Sequence, residues 1–176
     1  MVTAGLLILR LVLGLILAAH GAQKLFGWLG GPGLAGFAAR LDKAGVRPGR
    51  TWAMVSAGVE FGGGLLVAVG LVTPVAALFL AGNLLVAILT VHVARGFWNR
   101  DGGYEFPLAL LGALVALSLI GPGRASLDSA VHFALPQPVA WLAIVIVVLL
   151  GVIAAVAGSR LSPASPSAQT EERTIR

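Results

Sequence analysis

The stretch Leu6 to Phe26, LLILRLVLGLILAAHGAQKLF, decides how the rest of the chain must be read. A run of eighteen or more mostly apolar residues is long enough to cross a bilayer as a helix. This run nevertheless carries Arg10, His20, Gln23 and Lys24. A charge inside a membrane helix costs about 2.5–3.5 kcal/mol on insertion scales unless it faces protein or water. At 100° per residue, Arg10, His20 and Lys24 fall within an arc of about 80° on one helix face. That face demands partners, and other spans must supply them.

The composition agrees with a membrane location. Of the 176 residues, 58% are hydrophobic and 11% charged, whereas a soluble domain carries about 25% charge. One all-α, polytopic transmembrane bundle is the expected fold. The net charge of +5 is not a nucleic-acid signal, because no basic patch is interleaved with aromatics. The chain has no cysteine, which excludes disulfides, thiol redox chemistry, iron–sulfur clusters and c-type haem held by this chain alone. A cleavable leader is not expected, since Arg10 interrupts the would-be apolar core and no clear A-x-A site follows.

Five spans are predicted, at about 4–26, 51–70, 74–94, 103–120 and 139–157. Gly70-Leu71-Val72-Thr73-Pro74 leaves room only for a tight turn between the second and third, and Gly121-Pro122-Gly123 ends the fourth. Between the first two spans, Leu34, Phe37, Ala38 and Leu41 recur at helical spacing beside Arg40 and Lys43. This predicts an amphipathic interfacial helix at about 33–45, the alternative being an ordinary packed loop helix. Arg40, Lys43, Arg47, Arg50, Arg95 and Arg100 fall on one side of the five-span arrangement. The positive-inside rule then puts the N-terminus outside and the C-terminus in the cytoplasm of a cell (inner or plasma) membrane. Residues 159–176, rich in Ser, Pro, Thr and charge, read as a disordered cytoplasmic tail.

With that topology, Lys24, His92 and Glu105 lie at one level near the cytoplasmic ends of their spans. His20 is about 6 Å deeper, and Glu60 and Asn83 are deeper still. Glu60 sits in Gly58-Val59-Glu60-Phe61-Gly62-Gly63-Gly64, where small residues admit a close neighbour. By depth its first partner is His20, with Lys24 the second choice. Two readings stay open for it: a bond that fixes helix packing, or a proton-handling or ligand-polarising site. His20 and His92 form a weak haem-ligand pair beside these better partners. No metal-ligand spacing is evident.

On the outer side, Arg10 pairs with Asp128, or Asp128 pairs with Arg124 four residues away while Arg10 snorkels. Trp28, Trp52, Trp98 and Trp141, with Tyr104, fall near span ends as interfacial anchors do.

Taken together, these residues resemble the DoxX family of small bacterial and archaeal membrane proteins. The resemblance rests on Arg10 followed by His20-Gly21-Ala22-Gln23-Lys24-Leu25, on Glu60 with its glycines, on Asn83, and on Glu105. Gly121-Pro122-Gly123-Arg124-Ala125-Ser126-Leu127-Asp128 completes it. It covers about residues 4–130. It implies a four-helix membrane core, to which the span at 139–157 is an addition. It also implies a link to membrane oxidoreductase systems, including quinone-reducing thiosulfate oxidation.

On that resemblance, the first expectation is a membrane subunit that binds quinone or docks a redox partner protein. Glu60 and Glu105 would be the catalytic, proton-moving residues. His20, Lys24, Gln23, Asn83 and His92 would bind the ligand. The chain carries no evident electron carrier, so a partner must supply one. The second expectation is a non-catalytic scaffold or small transporter, with the buried charges structural and homo-oligomers allowed by the glycine-rich second span.

Overall fold

In a computed structural model of the protein, which describes residues 1–161, seven α-helices account for most of the chain and no strand occurs among the described residues. They are α1 (Val2–Phe26), α2 (Gly33–Lys43), α3 (Gly49–Val69), α4 (Thr73–Ala87), α5 (Glu105–Ile120), α6 (Leu127–Ala130) and α7 (Val139–Leu161). The predicted tail at 159–176 lies almost wholly outside the described residues. α4 continues through a π turn at Ile88–His92 and a 3-10 turn at Val93–Arg95.

The helix ends follow from local chemistry. Gly70 closes α3 in the left-handed conformation (φ 73°), while Gly70 and Leu71 donate back to Val67 and Leu66. Pro74, whose missing N–H costs nothing in a first turn, opens α4. The expected hairpin at 70–74 is therefore present.

Four helices, α1, α3, α4 with its extension to Arg95, and α7, are long and apolar enough to cross a bilayer. α5 has 16 residues, about 24 Å at 1.5 Å per residue, against a hydrocarbon core of about 30 Å. The expected span at 103–120 is shorter than the sequence pattern implies because Gly103 and Tyr104 belong to a turn. Gly103, Tyr104 and Glu105 donate to Trp98, Gly96 and Phe97.

Helices α1, α3, α4 and α5 enclose one core, with Leu17, Val67, Leu80, Leu114 and Leu117 at its centre. α1 and α3 approach most closely. A Cβ on Gly21 would lie 2.3 Å from the Phe61 nitrogen, and one on Gly64 would lie 2.5 Å from that of Ala18. Of the glycines around Glu60, Gly64 thus serves this contact, whereas Gly58 and Gly62 meet nothing within 4 Å.

α2 turns its apolar face to protein: Ala38 and Leu41 are buried with Val46 and Ala53, flanked by Leu34, Phe37 and Trp52. The packed-helix reading of this segment describes what it touches. α7 stands outside the four-helix core and docks on α4, where Val148 fills the notch at Gly82. At one end, the Trp141 indole donates to the Ser118 hydroxyl at 3.2 Å. Trp141 is thus a hydrogen-bonded tie between α5 and α7 as well as a span-end aromatic.

Candidate functional site

Two clusters of buried charge occupy opposite ends of the bundle. The first gathers at the turn between α3 and α4. Arg10, 1% exposed, reaches from α1 across Gly70 and donates to the Ala125 carbonyl. Asp128, also 1% exposed, accepts from the Val72 and Thr73 backbone N–H groups at 2.6 and 2.9 Å and so caps α4. The Asp128 N–H in turn donates to the Gly70 carbonyl at 2.7 Å. The expected Arg10–Asp128 ion pair is corrected here: the two residues meet at one junction, within electrostatic reach, but Asp128 forms a salt bridge with neither Arg10 nor Arg124. The physical reason is that orphan N–H groups at the start of α4 claim the carboxylate.

The second cluster lies at the α2 end. Glu60, on α3 and 3% exposed, accepts through Oε1 from the Lys24 ammonium at 2.5 Å and from the Asn83 amide at 2.9 Å. Its Oε2 is buried without a hydrogen-bond partner. Three helices thus meet in one triad. His20 is not in it. The side chain of His20 is exposed, with its ring 6.3 Å from that of Phe106, so the expected His20–Glu60 pairing gives way to Lys24. One helical turn closer to the end of α1, Lys24 has the length to reach back to the carboxylate. Its ammonium also lies 4.9 Å from the centre of the Phe37 ring on α2, a cation–π contact.

Beside the triad opens a cavity of about 900 Å³. Lys24 and Asn83 line it, as do His20, Gln23 and His92; Glu60 stands behind Lys24 and Asn83. All five residues expected to bind a ligand therefore share one cavity. Gln23 also donates to the Leu29 carbonyl at 3.3 Å, which holds the chain leaving α1. The Nδ1 of His92 lies 2.8 Å from the Gly102 carbonyl. A carbonyl only accepts, so Nδ1 carries a proton and donates it to Gly102.

Glu105 is not part of this cluster. It starts α5, and its Oε2 accepts from the Asn99 N–H at 3.0 Å, fastening the turn between α4 and α5. Matching depth did not bring it to the triad, because the 98–104 turn directs it to its own loop.

Three contributors carried little sequence signal. The π turn at Ile88–His92 brings Thr90 and His92 to the cavity wall, and such turns recur at functional sites. Phe37 was legible as part of an amphipathic pattern but not as the roof over Lys24. The α7 wall, with Val148 and Gly151, was legible as a span but not in its position. No group of three or more metal-ligating side chains occurs among the described residues.

A bundle of apolar helices with a buried Glu60 bridged to half-buried Lys24 and Asn83 beside a largely apolar cavity defines a helical membrane protein with a candidate ligand site. The sequence profile of the DoxX family matches residues 5–93, from α1 to the end of the α4 π turn, including Lys24, Glu60, Asn83 and His92. An uncharacterized membrane protein of Mycobacterium tuberculosis is 31% identical over 131 residues, 68% of this chain and 77% of its own. A Bacillus subtilis protein named "Putative oxidoreductase CatD" is 32% identical over 130 residues, 70% of this chain and 84% of its own. No solved structure matches the chain significantly. The chain belongs to the DoxX family, and it is a multi-pass membrane protein.

Proposed function

We propose that the protein is the membrane subunit of an oxidoreductase system and binds a quinone at the Lys24–Glu60–Asn83 end of its cavity. The observation that carries this reading is the triad's incomplete hydrogen bonding beside an apolar chamber. Lys24 has three donors, of which one is directed to Glu60, and Asn83 keeps its amide oxygen and a second N–H. Both line the cavity. Apolar walls with a few placed donors are what a quinone ring requires. The name of the Bacillus subtilis relative supports the oxidoreductase part of this reading.

In this reading Lys24 and Asn83 donate to a quinone carbonyl, with His20 and His92 at the cavity edge. A bound quinone supplies the capacity to take up two electrons and two protons. The electrons come from a partner protein that carries a haem, flavin or iron–sulfur centre. Lys24 would give a proton towards the carbonyl oxygen, and Glu60, behind it, would take up a proton from the aqueous side and pass it to the emptied Lys24 amine, once for each of the two protons. By the distribution of Lys and Arg, the α2 end faces the cytoplasm.

The test is quinone binding by protein reconstituted in lipid nanodiscs, read from extracted quinone and the ultraviolet reduced-minus-oxidised spectrum. Wild type is expected to retain quinone at close to one per chain, and Asn83→Leu to lose it. No retention and no binding of added ubiquinone or menaquinone by wild type would overturn the reading. The second reading, a non-catalytic scaffold or small transporter, draws on the triad as glue between α1, α3 and α4. It expects Glu60→Gln to lower membrane abundance instead.

A further inference from the structure

The cavity is far larger than its polar end. About 900 Å³ lies near the top of the range for sites that hold drug-sized ligands, roughly 300–1,000 Å³, whereas Lys24 and Asn83 touch only one part of it. Another part lies against α2, where Arg40 and Lys43 line it together with Arg95, and a further part runs between α3 and α7 over α4. Val55 and Val59 form one wall, Phe79 lines the α4 side, and Val148, Gly151 and Val152 form the other wall. No charged residue of α3 or of described α7 lines that part.

The position of α7 creates this space. It docks on α4 through Val148 at Gly82 and on the π turn that follows α4, and an apolar slot lies between it and α3. Val55 is 50% exposed and Gly151 is exposed as well, so the slot opens on the lipid-facing side of the bundle. Water has few partners on such walls, which leaves hydrocarbon as the occupant they favour.

We infer that the slot between α3 and α7 holds the isoprenoid tail of the ligand. The substrate class is then a long-tailed, membrane-dissolved quinone that enters sideways from the bilayer. A water-soluble redox compound is not the substrate. This rests on the quinone reading above and adds the tail, the route and the role of the fifth long helix. The argument is continuity: one cavity joins the donors of Lys24 and Asn83 to the lipid-facing walls of α3 and α7. The head is positioned by the triad and the tail by α7.

The experiment compares a long-tailed quinone with a tailless ring analogue in wild type, Gly151→Phe and Val55→Trp, all in nanodiscs. Gly151 lines the slot and a Cβ there meets nothing within 4 Å, so a larger side chain can be placed at that position to narrow it. Val55→Trp narrows the same slot from the opposite wall and serves if the first variant fails to fold. Wild type is expected to bind the long-tailed quinone at least tenfold more tightly than the analogue. Both variants should erase that advantage and leave the analogue's affinity within about twofold. Unchanged long-tail binding in the folded variants would overturn the tail slot while leaving the quinone site standing. Equal losses for both compounds would overturn it too, by making the slot part of the head site. Binding of neither compound to wild type would overturn the quinone reading itself. Release of a phospholipid from wild type but not from the variants would assign the slot to a lipid and overturn the inference.

Discussion

The Arg10–Asp128 junction and the Lys24–Glu60–Asn83 triad are built from the same materials and do different things. Each sets buried charge between α1 and the α3–α4 pair, and each rescues a charged residue of one apolar helix. At the first, the polar groups engage backbone: Ala125 receives the guanidinium, and Val72 and Thr73 are capped by the carboxylate. At the second, they engage side chains, and Lys24 and Asn83 line a cavity; both ends leave buried polar atoms unpaired, Arg10 Nε and Nη1 with Thr73 Oγ1 at the first and Glu60 Oε2 at the second. Buried charge in a membrane bundle therefore does not by itself mark function. What separates the two ends is where the spare hydrogen-bonding capacity points.

The comparison breaks first on Asp128. Asp128→Ala orphans two N–H groups at the start of α4 and leaves the Arg10 charge without a nearby anion. Each buried N–H left without an acceptor costs about 1–3 kcal/mol. The expected outcome is a large drop in thermal stability in detergent and in membrane abundance, with quinone binding by the residual folded protein unchanged. Wild-type stability would show that the junction is not the structural end.

Next is Glu60→Gln. The amide keeps hydrogen bonds to Lys24 and Asn83 but cannot take up a proton and pass it on. General acid–base contributions run from about a hundredfold upward, so quinone-linked turnover should fall by at least that factor while thermal stability changes little. Lost folding with normal specific turnover would reverse the assignment of the two ends. Lys24→Met should cost less. A hydrogen bond from a charged donor is worth about 1.5–3 kcal/mol, or roughly ten- to a hundredfold in quinone affinity measured by titration in nanodiscs.

Much of the fold was legible because its signals are local. Arg10, the Gly70–Pro74 turn and the apolar runs each declare themselves within a few residues. Rotation and neighbour order do not. α4, α5 and α7 are apolar on every side, so lipid-facing and core-facing positions carry no contrasting pattern, and nothing marked Val148 for Gly82. The cavity-lining polar residues of α1 and α4 were legible because polar residues are rare in such helices. Their pairing was not, since depth ranks His20 ahead of Lys24 and side-chain reach reverses the order. Asp128 was legible as an anion but not as a helix cap, because a cap seen at 55 residues' separation has no local signature.

Glu105 gives the smallest expected effect and the cleanest separation of depth from position. By depth alone it stands with Lys24 and His92, and a proton route through two carboxylates would need it. In the fold it accepts from the Asn99 N–H in its own turn and does not line the cavity. Glu105→Gln preserves an acceptor for that N–H, so the change in stability should stay within about 0.5–1.5 kcal/mol, the net worth of one ordinary hydrogen bond. Quinone affinity and turnover should match wild type within about twofold, read in the same nanodisc assays as Glu60→Gln. A loss comparable to that of Glu60→Gln would mean that protons reach the triad past the α4–α5 turn, and that the π turn carrying Thr90 and His92 lies on their path. A null effect leaves Glu60 as the one buried carboxylate beside the cavity among the described residues. Proton supply to the quinone would then run through the single contact between Lys24 and Glu60.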